Sequence, residues 1–73
     1  MFEYTVELKD TKTHTYLEYV ILATDMLIAI QDATAEAYRY IWEHDIPVKY
    51  VTVADNNEKY IYSVLDKTLV KYY

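Results

Sequence analysis

Seventy-three residues predict one domain, residues 1–73, with a small core, because a chain this short buries only about 60% of the surface its unfolded form exposes. Twelve acidic against seven basic side chains give a formal charge of −5, which opposes non-specific attraction to phosphate backbones and anionic membranes. The chain has no cysteine and no glycine, which removes disulfides, thiolate zinc sites and the glycine-rich loops that cradle phosphates.

The first stretch, "FEYTVELKD", alternates cleanly. Phe2, Tyr4, Val6 and Leu8 point one way and Glu3, Thr5, Glu7 and Lys9 the other, which predicts a half-buried strand. After the polar bend "DTKT", "HTYLEYVILA" supplies a second strand. Its core face is expected to be Thr15, Leu17, Tyr19 and Ile21, because the opposite set contains Glu18, which is costly to bury. Tyr16, Val20 and Leu22 then make the outer face unusually apolar.

"ATD" offers Thr24 or Asp25 as a helix cap. From Met26 the apolar period becomes 3.6. Leu27, Ile30, Ala33, Thr34, Ala37, Tyr38 and Ile41 gather on one side, with Asp32, Glu36, Arg39 and Glu43 opposite. Asp45 and then Pro47 mark the stop. "VKYVTVA" reads as a third strand and "KYIYSVL" as a fourth, joined by the turn "DNNE". Both faces of these strands are partly apolar, so either could be inward. With no glycine, positive φ is expected to fall on Asn56, Asn57 or aspartates. "LVKYY" reads as a short fifth strand or a tail.

Strand, strand, helix, strand, strand predicts an α+β two-layer sandwich, with one helix packed on a mainly antiparallel four-stranded sheet. A short fifth strand is possible at the C-terminus. The element order is similar to that of the immunoglobulin-binding domains of bacterial surface proteins. This is a likeness of order alone and carries no function.

The chemistry-bearing residues are few. His14 sits near a bend and His44 in the last helical turn, with no second histidine at metal-ligand spacing. Ser63, the one serine, falls on a strand, a poor setting for a covalent nucleophile. "DNNE" lacks the length and the glycine of a calcium-binding loop. The lysines are scattered among acids, so direct nucleic-acid binding is disfavoured. No enzyme activity, cofactor or metal is expected. No charged n-region precedes an apolar run and no run reaches 18 apolar residues, so a cytoplasmic protein without a membrane span is expected.

The strongest signal is aromatic: ten tyrosines, a tryptophan and a phenylalanine. One helix covers only one sheet face, so some apolar residues of the strands must face away from it. The interface candidates are Tyr16, Val20 and Leu22 on the second strand, Tyr50, Tyr60 and Tyr62 on the third and fourth, and Tyr72 and Tyr73 at the end. Such a face has the composition of a protein interface. The expected function is a small protein-binding module with a protein partner, working as a homodimer through this face or an edge strand. The alternatives are an acidic nucleic-acid mimic, with Asp32, Glu36 and Glu43 on its face and Glu3, Glu7 and Glu18 on the sheet's outer side, and a small enzyme using His14 or His44.

Overall fold

The computed structural model describes residues 1–71. Five strands and one helix follow in chain order: β1 (Phe2–Lys9), β2 (Thr15–Ala23), α1 (Met26–His44), β3 (Tyr50–Ala54), β4 (Lys59–Ser63) and β5 (Thr68–Lys71). The strands form one sheet in the order β2-β1-β3-β4-β5, every neighbouring pair antiparallel. The helix links β2 to β3 and lies across one face, touching β1, β2 and β3. This is the expected α+β sandwich, with the fifth strand present at an edge.

Asp25 is the N-cap. Its backbone is extended and its carboxylate accepts a 2.9 Å hydrogen bond from the Ile28 N–H, satisfying one of the donors that a helix start leaves unpaired. Asp45 closes the helix in the left-handed region at φ 53°, donating its N–H to the Ile41 carbonyl. Pro47 follows. The third strand starts at Tyr50 rather than Val48, because the Val48 N–H turns back to the Ile46 carbonyl at 2.8 Å.

Among the described residues, positive φ falls on Asp45 and Lys67 (φ 56°), not on Asn56 or Asn57. The β3–β4 turn closes by another means. The Asp55 carboxylate accepts from the backbone N–H groups of Asn57 and Glu58 at 2.8 and 2.7 Å, so the side chain substitutes for a left-handed backbone.

The register decides which faces meet the helix. Val6 lies opposite Tyr19 and Val53, Leu8 opposite Leu17 and Val51, and Val51 and Val53 opposite Tyr62 and Tyr60. That set faces α1. The core is Tyr4, Val6, Leu8, Ala23, Val51 and Val53 from the sheet, Ala29, Ile30, Ala33 and Ala37 from the helix, and Val48 from the connection before β3.

The helix departs from the expected stripe in one respect. Leu27 is 60% exposed, while Ala29 is buried. Ala29, Ala33 and Ala37 follow one another at intervals of four and bring the backbone close to the sheet. The line of closest approach is therefore set by the smallest residues, and bulkier Leu27 is rotated out.

Candidate functional site

The site is the sheet face turned away from α1. Alternation places Glu3, Thr5, Glu7 and Lys9 of β1 there, and the register aligns the other strands with them. One row runs Glu18, Glu7, Thr52, Ile61, Val70 across β2-β1-β3-β4-β5. The next runs Val20, Thr5, Ala54, Lys59. Val20 and Leu22 are each 59% exposed. Among the described residues no element packs on this face.

β2 does not keep its alternation to the end. The register shifts between Leu8 and Lys9, so Lys9 pairs with Thr15 while Leu8 pairs with Leu17. The extra residue is Tyr16, and a bulge of this kind re-aims side chains. Thr15, expected in the core, instead donates its hydroxyl to Glu7 at 3.0 Å on the outer face. Tyr16, expected outside, meets Tyr40 of the helix edge to face, with centroids 6.5 Å apart. Sequence alternation could not show this, because the shift lies in the pairing.

Glu7 is the most constrained group on the face. One carboxylate oxygen accepts from Thr15 and the other from Thr52, each at 3.0 Å. Burial pushes its pKa up. The two hydroxyls, aided by Lys9 and Lys59, outweigh that and leave it below the ordinary carboxylate value. Thr52 is only 2% exposed although it points outward, because its row neighbours Glu7 and Ile61 flank it.

Beside Glu7 lies an open trough of about 360 Å³ over β3, β4 and β5. Lys9, Lys12 and Lys59 line it with Tyr50. Ile61 and Val70 supply its apolar part, and Thr52, Ser63 and Thr68 its hydroxyls. Of the lysines expected to be scattered, Lys59 is thus brought to the same trough as Lys9 and Lys12, which share one bend. Only the adjacency of β1 and β3 brings Lys59 to Lys9 and Lys12, and nothing in local sequence specifies that adjacency.

The remaining interface candidates divide. Tyr50, Val20 and Leu22 lie on the outer face. Tyr60 and Tyr62 do not: both pack against the core on the helix side, and the Tyr62 and Tyr38 hydroxyls are 3.1 Å apart. The pairing of β3 with β4 is the reason, since it sets Tyr60 and Tyr62 beside Val53 and Val51. Tyr72 and Tyr73 lie outside the described residues. Tyr19 also faces the helix. Burial first, then nearby Glu36, pushes its phenol up to about 12, and its hydroxyl has no hydrogen-bond partner among the described residues.

The acidic candidates lie on the other layer. Asp32, Glu36 and Glu43 are on α1, and Arg39 ion-pairs with Glu36 and, at 3.6 Å, with Glu43. Glu3, Glu7 and Glu18 are on the far side of the sheet, so the two groups do not form one continuous surface.

His14 is exposed and contacts Asp10 at 2.7 Å through Nδ1, and that hydrogen bond holds the Asp10 carboxyl below its usual value. His44 is exposed and its ring lies 5.1 Å from that of Tyr40. A second hollow of about 340 Å³ lies between Phe2, Glu3, Thr5 and the β3–β4 turn. Neither hollow is lined by a histidine. Asp55, in that turn, is already committed to backbone N–H groups, and the described residues contain no cluster of three metal-capable side chains. No helix among them is long and apolar enough to cross a membrane. Comparison with protein-family models, curated proteins and solved structures finds no match to this chain.

Proposed function

We propose that this protein is a small non-enzymatic binding module that takes another protein on the uncovered face of its sheet. The observation that carries this reading is the contrast between the two faces. One buries Val6, Leu8, Val51 and Val53 under α1, and the other leaves Val20, Leu22 and Val70 exposed among charges and hydroxyls. Apolar side chains rimmed by polar ones are the make-up of a protein interface. Pairing along β2 or β5, which are the sheet's edges among the described residues, is the other geometry by which the same module could act.

The nucleic-acid-mimic reading needs an unbroken acidic surface. Arg39 between Glu36 and Glu43, and the three lysines that line the trough, weigh against it. The enzyme reading needs a histidine in a hollow, and the exposed positions of His14 and His44 weigh against that.

A photo-crosslinking residue at position 20, compared with the same residue at position 32 on the helix, tests the proposal in an extract of the native host. Protein adducts formed from position 20 and absent from position 32 are the expected result. Adducts from the helix position alone, or from neither, would refute it.

A further inference from the structure

Resting on the reading of the uncovered face as a protein-binding surface, we infer that the trough over β3, β4 and β5 takes an extended acidic segment of the partner. A carboxylate of that segment meets Lys9 and Lys12, and an apolar side chain lies over Ile61 and Val70. The argument is charge complementarity. The chain carries −5 overall, yet three of its seven basic side chains line this hollow, and among the described residues no carboxylate does. Elsewhere, Arg39 is ion-paired with Glu36 and Glu43, and Lys71 with Glu58. Lys9 and Lys12 form no ion pair among the described residues. The acids adjoining the trough are engaged: Glu7 accepts from Thr15 and Thr52, Asp10 contacts His14, and Asp66 accepts from Ser63 at 3.3 Å. Their charges offset part of the lysines' field, but their oxygens have donors of their own, and the two ammonium groups are left to an incoming carboxylate.

The register sets the order along the trough. Lys9, Tyr50, Ser63 and Thr68 form one row across β1, β3, β4 and β5, and Lys12 follows Lys9 in the connection to β2. The next row on the same face holds Thr52, Ile61 and Val70, and Lys59 belongs to the row after that. Lys59 is the single lysine of the far end, so the anchor for an acid is the end that carries two. Rows on one face are two residues, about 6.8 Å, apart. An extended chain laid along the strands repeats its own side chains at the same interval. An acid at one position and an apolar residue two positions on therefore reach the lysines and the Ile61–Val70 row together.

Other anions fit less well. A small molecule would be left largely in water, because the trough is open and small-ligand sites enclose most of their ligand. Single-stranded nucleic acid needs successive rings on which its bases stack, and Tyr50 is the one ring among the residues lining the trough. Its regular phosphates would also be repelled by Glu7, Asp10 and Asp66. A protein segment carries few charges, and the rest of the partner covers the open side.

Two synthetic peptides test this, one with a glutamate two residues before a leucine in a run of threonines, the other with glutamine in place of the glutamate. Each is titrated to millimolar concentration at low ionic strength into the isotope-labelled full chain, and amide chemical shifts are followed by nuclear magnetic resonance. The glutamate peptide should give saturable shifts at Lys9, Lys12, Ile61 and Val70. The glutamine peptide should bind about threefold more weakly, as should the glutamate peptide to the double variant Lys9→Gln, Lys12→Gln. Lys49→Gln, the same change of charge outside the trough, should bind as wild type, and the spectra themselves report that each variant is folded. Equal binding by the two peptides, or a double variant that binds as wild type, overturns the lysine anchor. No saturable shift from the glutamate peptide, or tighter binding of oligothymidylate at the same residues, overturns the acidic segment as occupant. In that event the face still stands as a protein-binding surface if position 20 crosslinks a protein, and falls with the segment if it crosslinks none.

Discussion

Glu7 and Tyr19 show two opposite outcomes for a polar group taken partly out of water. Glu7 has hydroxyl donors on both oxygens, and its folded-state pKa lies below the ordinary 4.5. A lowered pKa means that the ion contributes stability which is fully present above that value and is lost as pH falls through the folded-state pKa. Urea midpoints should therefore fall on acidification from about pH 5 to about pH 3, and Glu7→Gln should flatten part of that fall. An unchanged pH profile in Glu7→Gln would show that the two threonines do nothing for the ion. Tyr19 has the converse problem, a buried hydroxyl with no partner among the described residues. Tyr19→Phe removes it and keeps the ring, and should raise stability by about 1 kcal/mol. A lower melting temperature for that variant would mean the hydroxyl is satisfied in solution.

At the scale of elements, the helix is placed by its alanines. Ala29, Ala33 and Ala37 lie at the contact with the sheet, all buried, and a larger side chain there has no room. Ala33→Leu should cost about 1–3 kcal/mol by overpacking, although it adds hydrophobicity to the helix. Ala35→Leu, on the exposed side, should stay within about 0.5 kcal/mol. Equal effects in chemical denaturation would contradict the close approach. The β2 bulge works at the same scale. One extra residue sends Thr15 to Glu7 and Tyr16 to Tyr40, so a local irregularity completes the outer polar network and sets a ring against the helix.

For the whole molecule, the two faces of the sheet carry unequal shares of stability. Val53 is 2% exposed under the helix, whereas Val20 lies on the open face. Val53→Ala should cost about 2 kcal/mol. Val20→Ala should cost less than about 1 kcal/mol. If the two cost the same, the outer face is covered in the monomer and is not available to a partner. Salt belongs to this scale too, because the exposed charges of the outer face act together, while the core under α1 is indifferent to it.

The sequence by itself determined the elements and their order. Alternation from Phe2 to Lys9, the change of period after Asp25, the stop before Pro47 and the turn at Asp55 are local signals, and local signals are what propensity and patterning record. It also determined that one sheet face would lack a helix. It did not determine which residues occupy that face. β3 and β4 are apolar on both sides, and their orientation follows from pairing Val53 with Val6 and with Tyr60, a choice made by packing under α1. The same pairing turned Tyr60 and Tyr62 inward, and the slip at Leu8 and Lys9 moved Tyr16. The lysine trough is the clearest case. Lys59 is fifty residues from Lys9 in the sequence, and only the placement of β3 beside β1, with β4 beyond it, sets both on the wall of one trough. Tertiary structure decided the site because its members come from five strands, and strand adjacency is a property of the whole fold.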